Sequence, residues 1–200
     1  IYDVKNKKDW EIKLPEAYEY IPRIKWTKED DELVIFSMNR LQNELKLWEV
    51  EIEDEGLEVE KLYQETAEAY LEIHNNLRFL NDGSFVWTSE KDGYNHIYHF
   101  DNDGELKRQI TSGAWDVTEF YGVDEDAKML YYQAAEESPL RRAVYRISLK
   151  GDKKQKLSAN NGWNDAEFSE GFKYFINTYS SATVPSQQTL HNSSGKLVRE

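Results

Sequence analysis

No cysteine occurs among these 200 residues. That single absence excludes disulfides, thiolate zinc sites and a cysteine nucleophile, while leaving the cellular compartment open. Proline is scarce, at 4, and basic residues are in deficit, 25 against 38 acidic, for a net charge of −13. A surface of that sign repels a phosphate backbone, so nucleic acid is not an expected partner. No apolar run approaches the roughly 20 residues that a membrane-spanning helix needs. Catalytic signatures are missing as well: there is no G-x-S-x-G elbow, H-E-x-x-H, G-x-x-x-x-G-K or G-x-G-x-x-G. The sequence has no initiator Met and no basic-then-apolar leader. It opens on strand-forming Ile1 and Tyr2, as a piece of a longer protein would.

Aromatic residues are abundant, at 14 %, with 6 Trp and 13 Tyr, beside 32 % charged residues. That mixture suits packed strands with polar outer faces and argues against disorder. The stretch FVWTSEKDGYNHIYHFDNDGELKRQITSG, residues 85–113, is strand, turn, strand, turn, strand, with Asp-Gly at both turns. The same grammar recurs. Second-strand candidates are LVIFSM (33–38), FVWTSE (85–90), MLYYQA (129–134) and KYFINT (173–178). Third-strand candidates are LKLWEVEI (45–52), HIYHFD (96–101), AVYRISL (143–149) and QQTLHN (187–192). Trp48, Tyr98, Tyr145 and Leu190 hold matching places, 50, 47 and 45 residues apart. Each unit opens with a further strand (YIPRIKW, NLRFLND, VTEFYGV, DAEFSEG) and closes with a short polar one (VEKLYQ, LKRQIT, KKQKLS, KLVRE).

Four strands joined by short turns at this period predict an all-β fold, a partial β-propeller of about four to four and a half four-stranded antiparallel blades. The expected divisions are residues 1–14 as two outer strands of a preceding blade, then blades over about 18–66, 74–112, 115–159 and 163–200. Asp82-Gly83, Asp92-Gly93, Asp103-Gly104, Gly151-Asp152 and Ser194-Gly195 fall where hairpins must reverse. Residues 61–77 could be drawn as a helix; the blade period favours a last strand followed by a loop. A part-propeller leaves blade faces uncovered, so self-association through them is expected.

Four features invite chemistry, and each has a structural reading that outweighs it. His96 and His99 stand three apart on one strand and point to opposite faces, which does not suit a metal site. Glu136 and Glu137 could bind an ammonium group, but Arg141 and Arg142 follow closely and suggest local ion pairing. Asn39, Arg40, Gln42 and Asn43 crowd a hairpin and could bind a ligand; bracing the turn's own backbone is the expected use. Trp26, Trp87, Trp115 and Trp163 could stack on sugars or proline, yet in propellers such rings belong mainly to the core between blades. No cofactor or metal is expected.

These segments, taken in order, resemble the N-terminal propeller of dipeptidyl peptidase IV-like enzymes of the prolyl oligopeptidase clan of serine peptidases. The resemblance covers the whole chain. It is carried most specifically by Pro22-Arg23 with Trp26, the Asn39-Arg40-x-Gln42-Asn43 hairpin, Ser89-Glu90-x-Asp92-Gly93, and Thr111-x-Gly113-x-Trp115-x-Val117. It implies a non-catalytic part of an exopeptidase that releases N-terminal X-Pro or X-Ala dipeptides. Such enzymes place an eight-bladed propeller before an α/β-hydrolase domain that carries the catalytic triad, so no catalytic residue is expected here. The propeller would gate access to that triad. The resemblance also implies peptides with a free N-terminus as partners, a homodimeric parent, and a periplasmic, cell-envelope or secreted location.

The family's substrate-anchoring Glu pair lies in a Tyr-Glu-Glu context, which Ala135-Glu136-Glu137 does not match, so that role is not transferred. A loop that lines an outer subsite in the mammalian relative corresponds to AEAYLEIHNN (67–76), which lacks that loop's Arg. Tyr70 and Glu72 are the candidate substrate-binding residues in its place. The sequence alone leaves two other readings open: a WD-repeat-like or TolB-like protein-binding scaffold with no peptidase, and a prolyl tripeptidyl or acylaminoacyl peptidase.

Overall fold

A computed structural model describes residues 1–5, 7–53, 56–159 and 161–199. Asn6, within the expected opening strands, and Glu200, at the end of the last expected strand, lie outside that set. The fold is all-β, a partial β-propeller built of four-stranded antiparallel meanders. The chain divides into two compact units.

The first unit holds residues 1–75 together with the hairpin tips 81–84 and 102–105. Strands β1 (Tyr2–Asp3) and β2 (Lys8–Asp9) form a small ladder of their own. One full meander follows: β3 (Tyr20–Trp26), β4 (Glu32–Met38), β5 (Glu44–Ile52) and β6 (Leu57–Thr66). Leu33, Ile35, Trp48 and Val50 make a core on one face, against which Ile1, Ile12 and Leu14 pack. Burying each such side chain is worth about 1.5–3 kcal/mol. The Trp48 indole is satisfied inside this core by donating to Ser37 Oγ at 2.8 Å. The tip at Gly104 approaches β6 so closely that an added Cβ would stand 1.7 Å from the Leu62 carbonyl oxygen. With φ at +78° as well, only glycine fits there.

The second unit holds residues 76–80, 85–101 and the chain from 106 onward. Its first sheet is β7 (Arg78–Phe79), β8 (Phe85–Ser89), β9 (His96–Phe100) and β10 (Leu106–Gln109). The next is β11 (Val117–Asp124), β12 (Met129–Ala134), β13 (Ala143–Ser148) and β14 (Gln155–Lys156). The last is β15 (Trp163–Phe168), β16 (Tyr174–Ser180), β17 (Gln187–Asn192) and β18 (Leu197–Arg199). The β7–β10 and β11–β14 sheets meet face to face through Val86, Ile97, Val117, Leu130, Tyr132 and Ile147. On its opposite face the middle sheet meets β15–β18 through Tyr131, Val144, Leu157 and Phe175. A middle strand covered on both faces has no solvent side to keep polar, which is why MLYYQA does not alternate.

Residues 67–77 form no helix; β6 ends at Thr66 and an irregular segment follows. Two expectations need correction. Trp87 is buried, at 2 % exposed, but Trp26 and Trp163 are about half exposed, at 54 % and 50 %. Both stand on first strands, which are edge strands of their sheets. Trp163 is held by the Arg142 guanidinium, 4.9 Å from its ring centroid.

Candidate functional site

Successive strands of a meander run in opposite directions. The segment leading into β3, the β4–β5 turn and the segment leaving β6 therefore share one end of the first unit's sheet. The Asn39–Asn43 turn is built there by its own amides. Asn39 Oδ1 accepts from the backbone N–H of Asn43 at 3.1 Å and of Glu44 at 3.2 Å. Asn39 Nδ2 donates to Asn43 Oδ1 at 2.8 Å, and Gln42 takes φ of +56°. The expected bracing is thus done by asparagine. Arg40, expected to share in it, instead stands exposed at the tip beside Leu41, and Asn39 alone takes the Asn43 and Glu44 N–H donors.

The turn's two free carbonyls hold the segment that leaves β6. Ala67 N–H donates to Asn43 O and Leu71 N–H to Gln42 O, both at 2.9 Å. Leu71 is buried as an anchor, and Arg23 Nε ties the far end by donating to Asn75 Oδ1 at 2.9 Å. Residues 67–75 are therefore a loop pinned at three points. Tyr70, at 52 % exposed, and Glu72, also exposed, flank buried Leu71. The structure brings the Asn39–Asn43 hairpin and the Tyr70–Glu72 loop together, although they lie about 30 residues apart. An exposed phenol can stack on a ring, and an exposed carboxylate can hold an ammonium group.

Two other sequence candidates resolve toward structure. His96 is fully buried, its Nδ1 at 3.1 Å from Thr111 Oγ1 and its Nε2 at 3.0 Å from Gly113 O, so both ring nitrogens are spent on the segment that leaves β10. Glu136 and Glu137 are ion-paired, but with Lys154 (2.5 Å) and Lys156 (2.7 Å), not with the arginines that follow them. The Arg142 guanidinium instead donates to the Pro139 and Arg141 carbonyls. Among the described residues no three His, Asp or Glu side chains converge as a metal site would require. No helix there is long and apolar enough to cross a membrane.

Sequence reasoning passed over one polar seam in the second unit. Tyr121 Oη donates to Asp165 Oδ1 at 2.7 Å and accepts from Ala166 N–H at 3.1 Å, joining β11 to β15. Burial, then the bond to Asp165, pushes the Tyr121 phenol far above its usual range, so it stays a neutral donor. Glu119, on the same strand, has its carboxyl raised by burial first and by the Asp165 charge second, with Arg78 opposing. Aromatic and acidic residues on first strands were the available signal, but only the register reveals that they meet.

Residues 1–186 match the family described as the dipeptidyl peptidase IV (DPP IV) N-terminal region. The crystal structure of Porphyromonas gingivalis dipeptidyl peptidase 4 superposes with a TM-score of 0.90 at 44 % identity, over 99 % of this chain and 28 % of that one. A probable dipeptidyl-aminopeptidase B of Aspergillus terreus is 25 % identical over 220 aligned positions, covering 100 % of this chain and 24 % of that protein. Its Aspergillus oryzae counterpart is 32 % identical over 125 positions, 60 % of this chain and 14 % of that protein. The chain thus spans about a quarter of the length of the relatives that it matches from end to end.

Proposed function

The chain belongs to the dipeptidyl peptidase IV N-terminal region family, and from that membership we propose that it is the second half of the propeller of a serine exopeptidase. The parent removes X-Pro and X-Ala dipeptides from free N-termini, and the propeller walls off a triad carried by an α/β-hydrolase domain elsewhere in the longer protein. The observation that carries this reading is the match to the Porphyromonas gingivalis enzyme over 99 % of the chain at 44 % identity. A wall of hairpins serves such a role by excluding folded protein and admitting extended peptide ends. In this reading Tyr70 and Glu72 contact the peptide, the phenol by stacking and the carboxylate by holding a cationic group. A periplasmic or cell-envelope location and a homodimeric parent belong to the same proposal.

The test uses the full-length protein. It should hydrolyse an Ala-Pro anilide, and the isolated 200-residue chain should not. Tyr70→Ala and Glu72→Gln should raise KM several-fold for pentapeptides while leaving the short anilide unaffected, because only longer substrates reach an outer subsite. Absence of X-Pro turnover by the full-length protein overturns the peptidase reading. Equal effects on short and long substrates overturn the role of the loop. Cell fractionation and sedimentation of the full-length protein check the location and the dimer.

A further inference from the structure

The middle sheet of the second unit carries a cluster that the propeller role does not use. Tyr132, on β12, is fully buried between two other rings. It stacks on Tyr145 at 5.5 Å with planes 20° apart, and lies near-parallel to Trp115 at 6.5 Å and 8°. Into this stack comes an ammonium group of the chain's own. Lys154 Nζ lies 5.7 Å from the Trp115 ring centroid, 5.8 Å from that of Tyr145, and 2.5 Å from Glu136 Oε1. Aromatic faces and a carboxylate converging on one cation are the general recipe for ammonium recognition.

The cage is incompletely used. Cation–π attraction reaches to about 6 Å, so Lys154 sits at the outer limit for both rings. Glu136 Oε2 and Tyr132 Oη are both buried and have no hydrogen-bond partner among the described residues. Burial, and then the nearby Glu136 charge, keeps both the Tyr132 and Tyr145 phenols neutral. A primary ammonium has three donors, and Lys154 spends one of them on Glu136. Its side chain is 40 % exposed, so it has a route out to solvent.

We propose that Trp115, Tyr145 and Glu136 form a primary-ammonium site that Lys154 fills in cis, and that the alkylammonium of a lysine-bearing peptide takes the same place when Lys154 withdraws. Lys154 then works as a tethered competitor. The site stays closed to weak cations and opens to one that also meets the second oxygen of Glu136. This inference does not depend on the peptidase reading, since every group in it belongs to the chain itself.

The experiment removes the tether. Lys154→Ala is titrated with n-butylammonium chloride, with sodium chloride at equal ionic strength and n-butanol as controls, following the melting temperature and the Trp115 indole resonance. The expected result is a saturable shift of both, at least tenfold weaker in the wild type and lost in the Lys154→Ala, Glu136→Gln double variant. No saturable shift, or the same shift in the double variant, overturns the proposal. A second measurement guards against a poorly folded variant. In the wild-type chain, Lys154 should react with an amine-acylating reagent at least tenfold more slowly than exposed Lys196, and Glu136→Gln should close that gap. Equal rates in the wild type overturn the caged state.

Discussion

Strands β12 and β16 occupy the same place, second in their meanders, in consecutive sheets of one unit, yet they are buried differently. Every residue of β12 after Met129 is buried. In β16, Phe175 and Asn177 are buried while Tyr174 and Ile176 between them are 49 % and 39 % exposed. The cause lies in the neighbours. Leu130 and Tyr132 face one sheet and Tyr131 faces another, whereas β16 has a partner sheet on the Phe175 side only. On its other side lie Tyr174, Ile176 and, in register with Ile176, Leu190 and Glu167; with Phe168, Ser169 and Phe175 they line a mainly apolar depression of about 220 Å³. A strand's burial is thus conferred by what stacks on it, and an apolar residue left facing outward marks a surface shaped for covering.

The largest expected effect sets the two strands directly against each other. Leu130→Ala should destabilise the chain by about 2–5 kcal/mol, the usual cost of emptying a well-packed core position. Ile176→Ala should cost less than about 1 kcal/mol, because much of that side chain is already in water. Urea denaturation of both variants checks this, and similar losses would break the contrast.

A carboxylate sharpens the same rule. Glu49 lies on β5, a middle strand of the first unit, in register with Val34 and Glu60. Burial first, and then a hydrogen bond with Glu32, pushes its carboxyl up to about 8. The folded state therefore holds a proton that the unfolded state releases near pH 4.5. Stability from this site is fully present below that pH and is lost as pH rises toward 8. Because the group is only partly buried, the loss should be about 1–2 kcal/mol after allowance for solvent screening. Glu49→Gln should flatten that slope in denaturation series run at successive pH values.

The smallest effect on stability should come from charging the open face. Tyr174→Glu with Ile176→Glu should change unfolding free energy by about 0.5 kcal/mol or less, as exposed substitutions do. The same pair should lower the self-association of the 200-residue chain in sedimentation velocity. A wild-type chain that sediments as a single monomer at all concentrations would remove the reason for the contrast.

Much of this was legible in the sequence, and the reason is local chemistry. Asp-Gly turns set the reversals, and apolar runs such as FVWTS set the middle strands, because both depend on residues adjacent in the chain. Pairings across strands were less accessible. Lys154 and Lys156 meet Glu136 and Glu137 from 18 and 19 residues away, through the β13–β14 register, so proximity in sequence pointed wrongly to Arg141 and Arg142. The candidate loop shows both cases. Tyr70 and Glu72 could be named from the resemblance, but their fixing by the Gln42 and Asn43 carbonyls depends on backbone atoms that no residue pattern announces. The exposure of Trp26 and Trp163 was hidden for a third reason, since it is decided by sheet neighbours and not by the strand that carries the ring.

The last strand of the middle sheet, β14, pairs over only two residues, Gln155 and Lys156, within the run Lys153-Lys154-Gln155-Lys156. So short a rim, with Lys154 and Lys156 paired to Glu136 and Glu137, offers a second polypeptide little ladder to extend. Growth of a fibril ladder from this particular edge should consequently be disfavoured, in contrast to one seeded on a long, flat, neutral strand.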